Sequence, residues 1–390
     1  MVVALAAASL RAGAEQPPHS GPRIAQAIES LGTDWPSQKP YPPPEDLSFP
    51  EGIVHYRVEP GDPKYRFLHD PAVAMHRGVL FVAWYNCPER EIVGESLIRC
   101  RRSPDGGRTW SDVEVIAADR AGRGVHYVPA QLLSYQGKLY AIVGKMEGGH
   151  DQIKHCAVYF LDEGQDQWKP AGDIADRFLP NYAPVKMADG NFIMAGRTSS
   201  QWPRKPLIPA VAISNGDTVT DKWTVVPITE KALPNGQCPE TTLIVDANEI
   251  VAITRNNDRK SLQPFLYSSR DFGRTWAPMP EHGLKALDSK LYSGRLTTGQ
   301  YFVIFNHPLE KAYRGTLVIA VSRPGESALT SVWKIQQTCH GHPGSRRPIQ
   351  SHYPCAIEAG GNLYVAYSAT FGHTKSCELA VIPVESLRGR

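Results

Sequence analysis

Short hydrophobic runs, each preceded by a turn rich in Gly or Asn, recur six times along the chain. They are four or five residues long and consist largely of β-branched, aromatic and other apolar residues, which is typical of strands in a sheet core. The runs lie at residues 79–83, 139–143, 192–195, 250–253, 301–305 and 363–367. The pattern predicts an all-β protein.

Each run follows a partly polar segment that contains Pro or Gly, and we call these six segments the openings. They are His69-Asp70-Pro71, His126-Tyr127-Val128-Pro129, Asn181-Tyr182-Ala183-Pro184, Cys238-Pro239-Glu240, Tyr292-Ser293-Gly294 and His352-Tyr353-Pro354. Counted from positions 71, 129, 184, 239, 294 and 354, the steps are 58, 55, 55, 55 and 60 residues. A nearly constant period of this length indicates an internal repeat.

Tryptophans give an independent measure of the same period. Residues Trp110, Trp168, Trp223, Trp276 and Trp333 follow their openings by 39, 39, 39, 37 and 39 residues. Two of them end an eight-residue motif, S-x-D-x-G-x-T-W, at residues 103–110 and 269–276. The motif suits a hairpin, because Asp and Gly tolerate positive φ, Ser and Asp can cap backbone N–H groups, and Trp fills a hydrophobic gap.

Six units of about 55 residues, each with four strands, predict a six-bladed β-propeller. The sixth unit would need its tryptophan near position 393, whereas the sequence has 390 residues. We therefore expect an N-terminal strand at residues 53–58 to complete the last blade and remove its free edge. The alternative is a β-solenoid, which does not close and would not need this exchange.

Composition and charge limit the kinds of partner that we expect the protein to bind. The chain has 42% hydrophobic and 21% charged residues, with 33 Gly and 33 Pro, as expected for a globular protein with many turns. A net charge of +3 without a basic run argues against nucleic acid as a partner. No apolar run reaches the length of a membrane span, so we predict none.

The N-terminal region suggests two further segments before the propeller at 51–390. Residues 1–14 are apolar and end in Ala12-Gly13-Ala14, which resembles the cleavage site of a signal peptide without its positive start. Residues 15–50 form a Pro-rich leader. A signal peptide would make the protein secreted or periplasmic, and a disordered tail in its place would leave it cytoplasmic.

Cysteine usage gives little support for a metal site. The seven cysteines form no C-x-x-C pair. Cys339-His340-Gly341-His342 with His352 and Cys355 could be interpreted as a metal cluster, but its spacing fits no standard zinc pattern. We predict no metal and no other cofactor, and mostly buried thiols with at most one disulfide.

The openings should carry the chemistry, because the innermost strand of each blade faces the central axis. Their polar residues would then converge at one mouth of the channel. These residues are His69, Asp70, His126, Tyr127, Asn181, Tyr182, Glu240, Tyr292, Arg295 (one residue past its opening), His352 and Tyr353. Any one of them could be structural, but the set predicts a binding or catalytic site.

The two eight-residue motifs are Asp-boxes, and from about residue 60 to 385 the chain resembles the sialidase superfamily. Glu240, which precedes Arg255-Asn256, resembles the family glutamate that polarises the nucleophile, and Arg255 the arginine that holds the substrate carboxylate. Arg314 resembles a second carboxylate-binding arginine, and Tyr353 the nucleophile. The resemblance implies these roles.

The chain departs from the family in the first blade. Sialidases have an arginine two residues before the first-blade proline, where this chain has His69, and Arg66 is shifted by an odd number of residues to the opposite strand face. The family acid/base aspartate also has no counterpart before the first Asp-box. Glu91 is the first candidate for that role and Asp70 the second. The loop itself offers Glu89, Glu91 and Glu95.

The resemblance implies an exo-glycoside hydrolase that removes a terminal, acidic sugar from a glycan, with a neutral sugar as the other option because one arginine is missing. Tyr353 would attack after Glu240 takes its proton, and Glu91 or Asp70 would protonate the leaving oxygen. The residues expected to bind substrate are Arg255, Arg314, His69, His126, Tyr127, Tyr182, Tyr292, Arg295 and His352.

Two other functions fit the same residues. A polysaccharide lyase could use His69, His126, Tyr127, His352 or Tyr353 to abstract a proton beside a uronate carboxylate. A non-catalytic propeller could bind a glycan without turnover. The product separates the two enzymes, since a lyase leaves an unsaturated sugar that absorbs in the near ultraviolet. The oligomeric state does not follow from the sequence.

Overall fold

The computed structural model describes residues 42–149, 152–199, 206–234, 238–247, 249–279, 282–309, 314–326, 328–337, 349–372 and 374–388. These residues form six small antiparallel sheets, which are the six blades of a propeller. Two short 3-10 helices, Pro44–Asp46 and Val384–Leu387, flank them.

Strand β1 (Val54–Glu59) precedes the first three blades, which take up residues 67–227. Blade 1 contains β2 (Phe67–His76), β3 (Val79–Cys87), β4 (Leu97–Ser103) and β5 (Glu114–Ala117). Blade 2 contains β6 (Val125–Tyr135), β7 (Lys138–Glu147), β8 (Ile153–Asp162) and β9 (Gln167–Asp176). Blade 3 contains β10 (Phe178–Pro180), β11 (Val185–Lys186), β12 (Phe192–Thr198), β13 (Ile208–Ile213) and β14 (Thr224–Pro227).

The last three blades follow in the same order. Blade 4 contains β15 (Thr241–Asp246), β16 (Glu249–Thr254), β17 (Phe265–Ser269) and β18 (Ala277–Pro278). Blade 5 contains β19 (Tyr292–Arg295), β20 (Tyr301–Asn306), β21 (Thr316–Ser322) and β22 (Leu329–Gln337). Blade 6 contains β23 (Gln350–Ala359), β24 (Asn362–Phe371), β25 (Thr374–Pro383) and β1.

Strand β1 closes the ring, as the missing sixth tryptophan predicted. It pairs antiparallel with β25, from Val54 opposite Val381 to Arg57 opposite Glu378. The predicted strand at 53–58 is therefore confirmed within one residue, and the closed ring excludes the solenoid. Because an early strand is bonded to a late one, the blade that carries Tyr353 cannot be displaced without opening the ring.

Three inner strands carry the same irregularity at the same place. The register shifts between His69 and Ala72 in β2, between Tyr127 and Ala130 in β6, and between His352 and Cys355 in β23. Two residues lie within each shift, and the second of them is a proline, which has no N–H to donate to the ladder.

The bulges change the direction of two side chains. Asp70 and Tyr353, each directly before the bulge proline, have φ values of +49° and +57°. Such values are uncommon for residues other than glycine and are retained where the surrounding structure enforces them. We infer that these bulges aim Asp70 and Tyr353 toward the axis.

The Asp-boxes are structural hairpins, and both copies form the same network. Ser103 Oγ donates to Asp105 Oδ1 (2.8 Å) and accepts from the backbone N of Gly107 (2.7 Å), while the Thr109 hydroxyl donates to Asp105 Oδ2 (2.7 Å). The copy at 269–276 repeats these contacts at 2.8, 2.9 and 2.6 Å. In each copy the polar side chains form hydrogen bonds to one another and to a backbone N–H of the same turn. The motif therefore stabilises the turn and offers no binding site.

Several expectations lie outside the described residues. These are the signal peptide at 1–14, most of the leader at 15–50, and the Cys339–His342 part of the suggested metal cluster. Within the described part, Cys87, Cys100, Cys156, Cys355 and Cys377 are buried free thiols, and no group of three or more metal-ligating side chains occurs. The helices that the structure describes are too short and too polar to cross a membrane.

The glycine of the first Asp-box provides a test of how blade 1 packs on blade 6. A Cβ atom at Gly107 (φ +106°) would lie 2.7 Å from Leu379 Cδ2 and 3.0 Å from Tyr56 Cδ2. Gly172 (φ +124°) is a matched control, since a Cβ there meets no described atom within 4 Å. We expect Gly107→Ala to lower the free energy of unfolding by about 1–3 kcal/mol more than Gly172→Ala, measured by urea denaturation. Equal losses would show that only the backbone conformation matters.

Candidate active site

A buried hydrogen bond between Tyr353 and Glu240 is the centre of the site. The Tyr353 hydroxyl donates to Glu240 Oε1 at 2.6 Å. Arg255 Nη1 donates to Glu240 Oε2 at 2.7 Å and to the Tyr353 hydroxyl oxygen at 3.0 Å. All three residues are at most 9% exposed. The structure thus brings together three residues that the sequence had grouped.

Local strand pairing explains how Glu240 meets Arg255. In the β15–β16 hairpin Thr241 lies opposite Thr254, and the next pair outward is Glu240 and Arg255. The Arg255 N–H donates to the Glu240 carbonyl at 2.9 Å, which extends the ladder by one step. Directly opposite residues have neighbouring side chains, so the spacing in sequence becomes a contact.

The charges around Glu240 keep it ionised although it is buried. Burial opposes the charge, but Arg255, Arg197 and the hydrogen bonds from Tyr353 and Arg255 outweigh it and hold the pKa of Glu240 below its ordinary value. Burial and the Glu240 charge raise the pKa of Tyr353 well above 10, against Arg255 and Arg314. The resting pair is therefore a carboxylate that accepts a hydrogen bond from a neutral phenol.

Arg197 is a functional candidate that the sequence reasoning missed. It lies near the end of β12, is 6% exposed, and places Nη1 3.6 Å from Glu240 Oε1. The signal was present in the repeat: Arg197 is five residues after the start of the run at 192, as Arg255 is five after the start of the run at 250. Blades 3 and 4 therefore each supply an arginine to the same carboxylate.

Arg314 lies on the other side of the tyrosine. Its Nη2 donates to the backbone carbonyl of Asp288 at 2.6 Å, and its guanidinium carbon is 5.5 Å from the centre of the Tyr353 ring. This places a positive charge near the ring that would carry the phenolate.

His69 stands where the sialidases have their first arginine, and it is not a cation. Its ring centre lies 4.0 Å from that of Tyr353, and its Nδ1 is 3.2 Å from Ser368 Oγ. Burial, then the charge of Lys375, lowers the pKa of His69 well below 6.5. His352 is similar: burial and the charge of Arg314 lower its pKa well below 6.5, and its Nε2 is 3.1 Å from Thr370 Oγ1. Both histidines are therefore neutral side chains packed around the tyrosine.

The two candidate acids differ in their surroundings. Glu91 is exposed in the segment between β3 and β4, and its Oε1 accepts a hydrogen bond from the Tyr85 hydroxyl at 2.6 Å. Asp70 is buried in a short ion pair with Lys290, a residue that the sequence reasoning also missed. Burial raises the pKa of Asp70, although Lys290 opposes the rise.

Glu89 and Glu95, the other carboxylates of this loop, are engaged elsewhere. Glu89 pairs with Arg66 at 3.1 Å and Glu95 accepts from the Tyr65 hydroxyl at 2.7 Å.

A cavity joins Tyr353 and Glu240 to both candidate acids. Its lining residues come from blades 1, 2, 3, 4 and 6. They are Asp70, Tyr85, Glu91, Ile92, Val128, Pro129, Met146, Leu179, Asn181, Arg197, Cys238, Glu240 and Tyr353. The cavity has a volume of about 60 Å³.

Other predicted substrate-binding residues do not line this cavity. Tyr182, Tyr292 and Arg295 line a separate cavity between blades 3, 4, 5 and 6, in which the two tyrosine ring centres are 5.0 Å apart. Tyr127 is buried and His126 half-buried, and the cavity wall of blade 2 is formed instead by the next two residues, Val128 and Pro129.

Comparisons with known proteins agree with this architecture. The family model described as "BNR repeat-like domain" matches residues 78–365. No curated protein matches the chain. Many solved structures match the chain.

A Trypanosoma rangeli sialidase in complex with 2,3-difluorosialic acid, titled a covalent intermediate, has 14% identity and a TM-score of 0.65, covering 88% of this chain and 60% of that one. A leech intramolecular trans-sialidase has 12% identity and a TM-score of 0.63, with 88% and 71% covered. A Dyadobacter fermentans protein of unknown function has 14% identity and a TM-score of 0.64, with 85% and 99% covered.

At these identities the likeness shows a shared fold, and the chain spans about three fifths of the length of the T. rangeli sialidase. The family model extends over well more than half of the chain. The protein therefore belongs to the BNR repeat-like domain family and has the six-bladed propeller fold of the sialidases.

Proposed function

We propose that the protein is a glycosidase that removes a terminal sugar from a glycan through a covalent intermediate on Tyr353. The observation that carries the proposal is the 2.6 Å hydrogen bond from the Tyr353 hydroxyl to Glu240 Oε1 beside a cavity. A tyrosine is a poor nucleophile until a neighbouring base takes its proton. The structural likeness to a sialidase complex titled a covalent intermediate supports the same chemistry.

In the first step Glu240 takes the phenol proton as the Tyr353 oxygen bonds to the anomeric carbon. The glycosidic bond breaks at the same time, and a carboxylic acid gives its proton to the leaving oxygen. Arg255 and Arg314 stabilise the charge that develops on the phenol oxygen, since one contacts that oxygen and the other lies near the ring. In the second step the acid, now a base, deprotonates a water that displaces Tyr353, and Glu240 returns the proton.

Glu91 is the better placed acid of the two candidates. It is exposed at the cavity wall and can therefore exchange a proton with water between steps. Asp70 also lines the cavity, but Lys290 already holds its carboxylate in a buried ion pair. We assign the acid/base role to Glu91 and a supporting electrostatic role to Asp70.

The geometry gives less support to a lyase. A lyase base has to reach a substrate carbon, whereas His69 and His352 pack against Tyr353 and are at most 5% exposed. Their lowered pKa values also make them weak bases. Binding without turnover would be indicated if a glycan binds the wild-type protein and is not cleaved.

The catalytic pair is tested by Tyr353→Phe and Glu240→Gln. We expect Glu240→Gln to lower kcat by about 10²–10⁴-fold, as for the loss of a positioned base, and Tyr353→Phe at least as much. The assay is the release of monosaccharides from a glycan panel, followed by mass spectrometry. Arg295→Met, in the separate cavity, is the control and should keep wild-type turnover. Unchanged turnover in both pair variants would exclude the mechanism.

Two substrates that differ in their leaving group can test which residue is the acid. We expect Glu91→Gln to slow cleavage of a natural glycoside by about 10²–10⁴-fold, but to affect far less a glycoside whose leaving group needs no proton, such as a dinitrophenol. Asp70→Asn should slow both substrates to a similar extent. If Asp70→Asn shows the leaving-group dependence and Glu91→Gln does not, the two roles are reversed.

The neutral histidines predict how stability varies with pH. The folded state keeps His352 unprotonated, whereas the unfolded chain takes up a proton below its ordinary pKa of 6.5. This contribution is present above pH 6.5 and is lost as the pH falls. Each such histidine should lower the free energy of unfolding by about 1.4 kcal/mol per pH unit below that value, as urea denaturation at pH 7 and pH 5 would show. His352→Gln should make this fall shallower, and an unchanged slope would contradict the assignment.

A further inference from the structure

We propose that the sugar bound beside Tyr353 carries no charge, so that the enzyme cleaves a neutral glycoside. The inference rests on the proposed function and names its substrate class. It is drawn from the engagement of the cations around Tyr353 and from the lining of the cavity.

The three positions that would hold a substrate carboxylate no longer form a clamp. The first is His69, a neutral ring against Tyr353. At the second, Arg255 uses Nη1 for both Glu240 and Tyr353 and is 9% exposed. The third, Arg314, donates to the Asp288 carbonyl and lies near the Tyr353 ring. A bidentate carboxylate needs paired donors that face it, and this arrangement commits one nitrogen of each arginine, Arg255 Nη1 and Arg314 Nη2, to the protein itself.

Three carboxylates line the cavity, and two of them are paired with cations of the protein. Asp70 pairs with Lys290, and Glu240 pairs with Arg255 and lies 3.6 Å from Arg197. The third, Glu91, accepts a hydrogen bond from the Tyr85 hydroxyl at 2.6 Å. Arg197 is the one cation among the described lining residues, and it shares Glu240.

An additional charge in this cavity would therefore be poorly compensated. A substrate carboxylate would meet Asp70, Glu91 and Glu240 at close range, and a substrate ammonium would meet Lys290 and Arg197. Removing either ion from water costs more than these already paired groups return. An uncharged sugar has no such penalty.

One polar atom of the cavity wall, Asn181 Oδ1, suits a hydroxyl. Asn181 is 2% exposed and lines the cavity, and its Oδ1 accepts no hydrogen bond from any residue that the structure describes. A buried acceptor without a partner is costly, and a sugar hydroxyl would satisfy it. The wall around it is apolar, with Val128, Met146 and Leu179, and can pack against the C–H face of a ring.

The test compares substrates that differ only in charge. Methylumbelliferyl glucoside and glucuronide form one matched pair, galactoside and galacturonide a second, each as both anomers. Glucosaminide with a free amine and N-acetylneuraminide complete the set, with mass analysis of the monosaccharides released from a glycan mixture as a second readout. We expect kcat/KM for a neutral member to exceed that of its acid by at least 100-fold. Asn181→Ala should raise KM for that sugar by about tenfold while kcat changes little.

The outcomes distinguish a failure of the inference about the substrate from a failure of the proposed mechanism. Release of an acidic or amino sugar in preference to its neutral counterpart, lost in Tyr353→Phe, would overturn the inference and leave the mechanism standing. Release of a neutral sugar that persists in Tyr353→Phe would support the inference and overturn the mechanism. If nothing is released, saturation-transfer NMR of the wild-type protein with glucose, galactose and their uronic acids decides. Binding of the neutral sugars alone supports the inference, and binding of the acids alone, or of none, overturns it.

Discussion

The site depends on keeping one buried carboxylate charged. Burial by itself raises the pKa of Glu240, and a protonated Glu240 could not accept the proton of Tyr353. Arg255 and Arg197 prevent this from two neighbouring blades, and the Tyr353 hydroxyl adds a hydrogen bond from a third. Removing one partner would leave a buried charge uncompensated, so these side chains form a unit rather than a set of separate contacts.

The ring geometry makes that unit possible. Glu240 and Arg255 belong to blade 4, Arg197 to blade 3 and Tyr353 to blade 6, so the positions of the blades around the axis set the distances between them. The pairing of β1 with β25 closes the circle and fixes blade 6. In addition, the bulge in β23 gives Tyr353 the positive φ at which its ring meets His69 and its hydroxyl meets Glu240.

The sequence was sufficient for the blades because tryptophans and openings share one period, and that register led directly to Glu240, Arg255 and Tyr353. The sequence did not show how far along the channel each residue lies. The turn between β2 and β3 has two residues, 77–78, whereas the connection between β19 and β20 has five, 296–300. Counting from the openings ignores this difference, so Tyr292 was expected at the same mouth as Tyr353 but lines the separate cavity. Lys290 escaped notice for the same reason, because it precedes its opening.

Arg255 shows why a matched motif does not by itself fix a substrate. In the family that this chain resembles, an arginine at this place holds a substrate carboxylate. Here the same guanidinium contacts both Glu240 and the Tyr353 hydroxyl, and the proposed mechanism would require these contacts for any sugar cleaved at Tyr353. The first-blade position has no such second duty, and there the arginine is absent and a neutral His69 packs on the tyrosine ring. Under the proposed mechanism, Arg255 would serve the reaction whatever sugar is bound, whereas an arginine at the position of His69 would have only a substrate carboxylate to hold.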